Sequence, residues 1–431
     1  MKEGVFVSLL TIALRRLQAR PRAGAVLKGL AVLLLVSLAA CSTMKGHGKP
    51  SNAAVDQSVR NMPMPKGSEP PRELINKNGF TLSHMASQGR EPVRIGILLP
   101  LSGPQSGVGK AMLDAAQLAI FESGRTDLLL MPHDTQGTSA GALTAMQEAM
   151  GQGAQILLGP LLSDEVTAIA PIALAQRIPV IAFSSNSAIA RPGVFLLSFP
   201  PEIEVERVVD FAVLSGKTRF GAVIPLSDYG NLVDAAFQHA IQKNAATLAH
   251  EERYSPGIEQ MGGAVKRLAV TPDFTAVLVP EGGTALKTLA PQLSFSGIDV
   301  KQVKLLGTGL WDDPALGKEP ALIGGWFAAP PPDARMSFAT RFQSAYGRSP
   351  PRIASLAYDG VALVATLAGE SKDTRFSISR LTDANGFSGV DGIFRFRPDG
   401  RVERGLSVNE VTPGGMTIVS PAPKTFQLIG Y

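Results

Sequence analysis

Small polar side chains are concentrated in three loops of the sequence, each directly after an apolar run. Hydroxyl and amide groups donate and accept hydrogen bonds, so they suit the carboxylate or hydroxyl groups of a small polar ligand. A purely structural role, such as closing a turn, fits each of them equally well. The candidate ligand contacts in these loops are Ser102, Ser106, Ser163, Ser184, Ser185 and Asn186.

Ser163 has a specific structural alternative. It is followed by Asp164 and Glu165, and a serine before acidic residues is typical of the first turn of a helix. We favour the interpretation of Ser163 as a helix N-cap over direct contact with a ligand.

Three larger residues complete the candidate set. Tyr229, Glu281 and Trp311 follow later apolar runs, and they offer a phenol, a carboxylate and an indole. They could face the polar loops from the other side of the ligand site or from its hinge, and a purely structural role fits each of them at least as well.

Enzymatic chemistry finds little support. Gly137–Gly141 matches the G-x-S-x-G pattern of hydrolase nucleophiles, but the histidines that follow it, His239 and His250, belong to a predicted helix and its neighbouring segment. We therefore interpret Ser139 as a helix N-cap. Asp134, after the second predicted strand, could cap a turn or line the ligand site, and we favour the turn. The other histidines show no metal-ligand spacing, and no phosphate-binding loop is present, so we expect no catalytic residue, metal or cofactor. Those histidines are His47, His84 and His133.

Apolar runs and helical patterns alternate regularly from residue 93 onward. Strands are predicted at 93–99, 127–133, 155–159, 178–183, 219–224, 275–280 and 302–306. Helices are predicted at 110–122, 139–151, 163–176, 203–215, 230–243, 258–270 and 284–293. This alternation predicts an α/β fold with parallel sheets flanked by helices, in which ligands bind beyond the carboxyl ends of the strands. Near the end of the chain, the Pro-Asp-Gly turn within 395–403 predicts a β-hairpin.

The N-terminus predicts an exported, lipid-anchored protein. A basic region is followed by the apolar run 29–38 and by Leu38-Ala39-Ala40-Cys41, which resembles the lipobox of bacterial lipoproteins. We interpret 1–40 as a signal peptide and Cys41, the only cysteine, as the acylated residue. The run is too short for an ordinary bilayer span.

Residues 41–91 have the composition of a flexible tether, rich in Ser, Pro, Gly and Lys. The formal net charge of +5 arises in the signal: six basic and one acidic side chains lie in 1–40, and the remainder carries 35 of each sign. Binding to nucleic acid is therefore not expected.

The chain from about 92 to 431 resembles the type I periplasmic binding proteins of the leucine/isoleucine/valine-binding branch. The resemblance rests on the polar loops above and on segments such as Asp228-Tyr229-Gly230 and Ala357-Tyr358-Asp359-Gly360. It implies a two-lobed fold with a cleft between the lobes, a small-molecule ligand in that cleft, and three chain crossings. The lobes implied are 92–200 with 309–388, and 201–308 with 389–431.

The amino-acid binders of that branch hold the ligand carboxylate with donors in the loop after the third strand. Here Leu161 and Leu162 occupy that loop before Ser163, which weakens the expectation of a zwitterionic ligand because a buried carboxylate needs hydrogen-bond partners.

A narrower resemblance rests on Gly159-Pro160-Leu161-Leu162, on 278–283 and on Leu306 to Pro314. These segments look like the penicillin-binding-protein activators, which are outer-membrane lipoproteins. The resemblance implies a non-enzymatic periplasmic lipoprotein, anchored to the outer membrane, that activates a peptidoglycan synthase. The alternative is the substrate-binding protein of an ABC importer for branched-chain or related amino acids.

Overall fold

The computed structural model describes residues 72–73 and 91–426 of the 431-residue chain. Cys41 and the expected signal peptide lie outside the described residues. Within the expected tether, strand β1 (Arg72–Glu73) pairs in parallel with Phe387 and Ser388, so this short part of the segment is not a free linker.

The first lobe is built on a five-stranded parallel sheet. Its strands are β2 (Val93–Leu99), β3 (Leu128–Asp134), β4 (Ile156–Leu158), β5 (Val180–Ala182) and β6 (Val194–Leu196), in the order β3-β2-β4-β5-β6. The interior strands β2, β4 and β5 are almost wholly apolar because helices cover both faces of the sheet, whereas the edge strand β3 exposes Leu129 and Pro132.

Five helices pack on this sheet or extend its lobe. They are α1 (Ser106–Ser123), α2 (Ser139–Gly151), α3 (Ser163–Ala175), α8 (Pro332–Tyr346) and α9 (Ala354–Leu367). Helix α9 lies against α1, and nearly all of its residues are buried, so it forms the centre of one of the two apolar layers of this lobe. The layer on the opposite face of the sheet lies beneath α2 and α3.

The second lobe contains a seven-stranded sheet. Its strands are β7 (Arg219–Pro225), β8 (Thr247–Tyr254), β9 (Ala276–Leu278), β10 (Lys304–Gly307), β11 (Trp326–Ala329), β15 (Ser407–Thr412) and β16 (Gly415–Ser420). The order is β16-β15-β11-β10-β9-β7-β8, and the neighbouring pairs are parallel except for β11–β15 and β15–β16.

Helices α4 (Pro201–Leu214), α5 (Asp228–Lys243), α6 (Ile258–Leu268) and α7 (Gly283–Phe295) flank this sheet. Their first turns carry the expected signals, for example Pro201 at the start of α4 and the Ser227 hydroxyl, which accepts the Gly230 N–H at 3.0 Å. The short helix α10 (Ile378–Leu381) follows α9 later in the chain.

A small separate sheet consists of β1, β12 (Phe387–Gly389), β13 (Gly392–Phe396) and β14 (Val402–Arg404). Strands β13 and β14 pair antiparallel, which confirms the predicted hairpin. Leu196 N–H of β6 donates to Gly400 O at 2.9 Å, and Phe394, Phe396 and Val402 join the core of the first lobe.

Two of the expected lobe boundaries are therefore wrong. The sequence assigns residues from 309 onward to the first lobe. Strand β11 pairs with β10 and β15, however, so residues up to 329 belong to the second lobe. Strands β13 and β14 complete the core of the first lobe, so the return to the second lobe comes after 404 and not at 389. The chain passes between lobes at 197–200, 330–331 and 405–406.

Candidate functional site

The carboxyl ends of the strands mark the candidate site in each lobe. In the first sheet the chain leaves the adjacent strands β2 and β4 toward opposite edges of the sheet, which creates a topological switch point between them. Strands β7 and β9 form the equivalent switch point in the second sheet. Open α/β sheets bind ligands at such switch points. We define the candidate cleft as the loops that follow β2, β4 and β5 in the first lobe and β7, β9 and β10 in the second.

Both sets of loops reach the junction between the lobes. Ser187, next to the loop after β5, donates its hydroxyl to Glu202 of α4 at 2.6 Å. Asp312, after β10, accepts hydrogen bonds from arginines of the first lobe. The two switch points therefore open toward the region where the lobes meet.

Three of the predicted residues in the first lobe are brought together. Ser163 and Ser184 share a hydrogen bond of 3.0 Å between their hydroxyls, and Asn186 N–H donates to Ser184 Oγ at 3.3 Å. The Asn186 side chain accepts the Ala188 N–H at 3.1 Å and so closes a 3₁₀ turn. Ser185 is exposed and stands beside this group.

Ser163 and Ser139 are not the N-caps that the sequence predicted. Helix α3 begins at Ser163 with Leu162 as its cap residue, and Glu165 accepts the Leu162 N–H at 3.0 Å. Thr138, one residue earlier than Ser139, caps α2 by accepting the Gly141 N–H. The Ser163 hydroxyl is thus occupied by Ser184 rather than by its own helix.

Asp134 holds the loop that contains Ser102, and Ser106 begins α1 at the end of that loop. Asp134 Oδ1 accepts the N–H groups of Leu101, Ser102 and Gln136 at 2.8, 3.1 and 2.8 Å, which confirms it as a turn residue. Burial acts to raise the pKa of Asp134, but these backbone bonds and one from the Ser102 hydroxyl outweigh it and leave the pKa lowered. Ser102 is exposed and Ser106 half-buried, at the start of α1.

Two tyrosines organise the polar groups of the second lobe. Tyr229 Oη and Thr308 Oγ1 lie 2.7 Å apart, and Tyr254 Oη donates to Glu281 Oε1. Burial raises the pKa of both tyrosines, so each remains a neutral phenol at physiological pH. Glu281 is half-buried and keeps its second oxygen for another partner.

Trp311 is a core residue and not the cleft contact that we expected. Its side chain is fully buried, its Nε1 donates to Val279 O at 3.1 Å, and its ring lies beside Phe327. A Cβ on Gly307 would lie 2.2 Å from the Trp311 ring, so the glycine makes room for the indole. The segment that carries the narrower family resemblance therefore includes a packing motif.

Sequence reasoning missed a cluster of charged side chains between the lobes. Asp312 of the second lobe accepts from Arg335 Nη2 at 2.7 Å and from Arg352 Nε at 3.2 Å, both of the first lobe. Arg352 also pairs with the buried Asp391 at 2.8 Å. We call these four residues the interlobe cluster. No pattern in the sequence pairs them, because they are far apart in the chain.

Phe199, in the first crossing segment, lies between two guanidinium groups. The centres of Arg352 and Arg404 are 4.0 and 4.6 Å from its ring centroid, at distances typical of cation–π contact. Arg404 Nε also donates to Ser198 O at 2.6 Å. The first and third crossings are thus joined directly beside the interlobe cluster.

The charge of the candidate cleft restricts its ligand. The segments directly after these six strands, 100–105, 159–162, 183–186, 226–227, 279–282 and 308, contain no lysine or arginine, while the segment after β9 supplies Glu281. Within these segments a fully anionic ligand would find a carboxylate and no cation. Hydroxyls of Ser163 and Ser184 together with Glu281 suit a polar solute that carries an ammonium group or hydroxyls.

Within residues 72–73 and 91–426, no group of three or more His, Asp or Glu side chains is arranged to hold a metal ion. Among the helices of the same ranges, none has both the length and the hydropathy needed to cross a bilayer.

Several solved structures of substrate-binding proteins share this fold. The ABC transporter substrate-binding protein of Sphaerobacter thermophilus is 22% identical, with a TM-score of 0.65 over 77% of this chain and 97% of its own. A branched-chain amino acid ABC transporter periplasmic ligand-binding protein of Burkholderia xenovorans is 19% identical, with a TM-score of 0.64 over 78% and 97%.

A third structure, the branched-chain amino acid transporter substrate-binding protein of Streptococcus pneumoniae in complex with isoleucine, is 19% identical, with a TM-score of 0.58 over 77% and 100%. An uncharacterised protein of Rickettsia prowazekii is 25% identical over 200 residues, which are 46% of this chain and 53% of that protein. The chain thus matches about half the length of that relative.

These likenesses confirm the predicted fold class, an α/β fold with parallel-rich sheets in two lobes. The family model described as periplasmic binding protein matches residues 92–416, which include every strand of both main sheets apart from the end of β16. The chain belongs to the periplasmic binding protein family.

Proposed function

We propose that this protein binds a small polar solute, an amino acid or a related compound, and delivers it to an ABC importer. Glu281 carries the proposal, since it is a half-buried carboxylate oriented by Tyr254 at the switch point of the second lobe. The kinship with binding proteins of branched-chain amino acid transporters supports it over the synthase-activator hypothesis.

The proposed contacts divide the ligand between the lobes. Glu281 accepts hydrogen bonds from the ligand ammonium, and the Tyr254 phenol fixes the carboxylate so that little side-chain entropy is lost on binding. Ser163 and Ser184 exchange their mutual hydrogen bond for bonds to the polar end of the ligand. Tyr229 and Thr308 form a second polar edge beside Glu281.

Calorimetric titration of the purified protein with a panel of amino acids tests the proposal. We expect at least one of them to bind, and Glu281→Gln to weaken its binding by about tenfold, because a charge-assisted hydrogen bond is lost while Tyr254 still finds an oxygen. Glu259→Gln, an exposed site at the start of α6, is the matched control. The proposal fails if no amino acid binds, or if both variants bind as the unmodified protein does.

Activation of a peptidoglycan synthase is a second candidate, and Leu161 and Leu162 favour it. Both are half-buried in the loop after β4, and Leu161 packs against the core of the first lobe. An apolar loop at this switch point offers few donors for a carboxylate. This candidate predicts that free leucine, isoleucine and valine do not bind.

A synthase assay separates the two candidates. Crosslinked product formed from lipid-linked precursor is measured with and without the purified protein. A higher rate that moderate salt reduces only partly would support the activator, because the chain after residue 40 is nearly neutral. If the synthase rate is unchanged and an amino acid binds tightly, the activator hypothesis fails and the protein is better described as the substrate-binding component of an importer.

Family membership indicates a periplasmic or other extracytoplasmic location. We further propose that Cys41 carries the lipid anchor, in the outer membrane, as the lipobox-like Leu38-Ala39-Ala40-Cys41 suggests. Cys41→Ala should abolish palmitate labelling and release the protein from the membrane fraction. Labelling that persists in this variant would contradict the anchor.

A further inference from the structure

A cavity of about 270 Å³ lies on the first lobe, away from the candidate cleft. Gln155 and Pro179 line it, and they come directly before β4 and β5. The cavity therefore opens at the amino ends of the strands, whereas the candidate cleft lies at their carboxyl ends. A solute in the cleft and an occupant of this cavity would be separated by the sheet.

Arg375 forms the wall of this cavity. The residue is only 6% exposed, and its Nη2 donates to Gln155 Oε1 at 2.7 Å. The guanidinium centre lies 5.4 Å from the Phe376 ring centroid, which helps to fix its plane. A guanidinium has five N–H donors, and in the described part of the chain no carboxylate pairs with this one.

Arg177 contributes a second cation at the rim. It is exposed, it forms no ion pair with any described residue, and its φ of 56° lies in the left-handed region that non-glycine residues rarely adopt. This conformation belongs to the C-terminal turn of α3, where Ile178 N–H donates to Ala173 O at 3.0 Å, and Arg177 lies there at the rim of the cavity.

The balance of charge around the cavity is positive. Lys372, Arg177 and Arg375 line it together with the carboxylate of Asp373, and the carboxylate of Glu91 lies close enough for Lys372 and Arg375 to lower its pKa. Lys372 also pairs with Glu91 at 2.7 Å, but both side chains are more than half exposed, so this pair is weak and open to exchange.

We propose that this cavity is a binding site for an oxyanion of the phosphate class. Two guanidinium groups provide N–H donors for the phosphate oxygens. One is buried and pre-oriented, and the other lies at the rim. Lys372 supplies a third positive charge at the entrance. The phosphate comes either from free solute or from the phosphodiester headgroup of a lipid, and both present the same oxygens.

The test uses the full chain and two soluble probes, inorganic phosphate and the deacylated headgroup glycerophosphoglycerol. Each is titrated by calorimetry at low ionic strength, where interactions between exposed charges are least screened. Binding of phosphate alone identifies a free-anion site, and binding of glycerophosphoglycerol identifies a headgroup site. If neither probe binds, the proposal is overturned.

Arg177→Asn locates the site with little risk to folding, because asparagine tolerates the left-handed backbone of that position. We expect it to weaken binding of the probe by about tenfold, as for loss of one charge-assisted hydrogen bond. Arg375→Gln should abolish binding, with its fold checked by circular dichroism. Lys266→Gln, an exposed cation on α6 of the other lobe, is the matched control. If Arg177→Asn binds the probe as strongly as the control variant does, the anion binds elsewhere and the proposal is overturned.

Discussion

The carboxyl group of Glu204 is buried at the start of α4, where Gly309 N–H donates to its Oε2 at 2.8 Å. Burial raises its pKa to about 8, although the Gly309 bond and the charge of Arg352 act against this shift. The folded protein therefore holds a proton that the unfolded chain releases near its ordinary value of 4.5. Stability from this group is complete below that value and is lost as the pH rises toward 8.

Glu204→Gln should flatten this pH dependence. The glutamine oxygen still accepts the Gly309 N–H, but the side chain has no proton to lose. Urea unfolding at several pH values between about 5 and 8 is expected to show a fall in stability that is smaller than in the unmodified protein by about 2 kcal/mol.

Asp359, whose pKa burial and the neighbouring Asp391 raise to about 7, leaves some dependence in the variant. Glu259→Gln, at an exposed position, should retain the full fall in stability. Identical pH profiles for Glu204→Gln and the unmodified protein would show that Glu204 is not protonated in the fold.

At the residue scale, the sequence located the polar loops but not their hydrogen bonds. Ser163, Ser184 and Asn186 were grouped correctly because parallel strands end at one edge of a sheet. The prediction for Trp311 is wrong because the sequence around a tryptophan next to a polar loop looks the same whether its indole faces the loop or the core. The partners of Asp312 come from residues 335 and 352, and pairings of that kind depend on the tertiary fold.

Helices α1, α2 and α5 each pack closely, through a glycine, against the backbone that leads from the preceding strand. A Cβ on Gly109, Gly141 or Gly230 would lie 2.0, 2.1 or 1.9 Å from a backbone oxygen in the strand-to-helix segment. A side chain does not fit at such distances, so glycine sets the spacing between each helix and its strand. In the first lobe this contact fixes the loop that carries Ser102.

Gly109→Ala and Gly107→Ala form a matched pair within α1. The Gly109 methyl group would collide with Pro100 O, and we expect a loss of about 2 kcal/mol in the free energy of unfolding. Nothing lies within 4 Å of a Cβ on Gly107, so its replacement should raise stability by about 0.5 kcal/mol through helix propensity. Chemical denaturation of the two variants measures both values, and a similar loss at both positions would mean that close approach is not the cause.

The elements that the sequence predicted correctly are the ones with a strong apolar period. Helix α2 matches its predicted range, and β7 differs from its own by one residue. Strand β8 was missed because its sequence, TLAHEERY, has no apolar run and forms an edge of the sheet with mostly half-buried side chains. Strand β11 was missed because it is four residues long and lies between two proline- or glycine-rich segments.

The two lobes are joined by the crossing segments and also by the interlobe cluster. The Asp312 side chain is only 4% exposed, and burial raises its pKa even though Arg335 and Arg352 act to lower it. Removal of one partner from a buried ion pair leaves the other charges uncompensated. The cluster therefore couples the orientation of the lobes to the stability of the whole molecule.

Asp312→Ala is expected to lower the free energy of unfolding by about 3 kcal/mol, since two guanidinium groups lose their shared carboxylate. Asp333→Ala, at an exposed position in the first turn of α8, should cost less than about 1 kcal/mol. Guanidinium chloride unfolding of both variants checks the values. A loss at Asp312 no greater than that at Asp333 would remove the cluster as a coupling element.

The three crossings have a consequence for how the protein is made. The second sheet needs β15 next to β11, and the first core needs β13 and β14, so both lobes wait for residues beyond 390. A ribosome releases these strands last, and until then β11 presents an open strand edge. Because such distant pairings form slowly, we expect the chain to remain unfolded through most of its synthesis, which keeps it in the state that a secretion channel accepts.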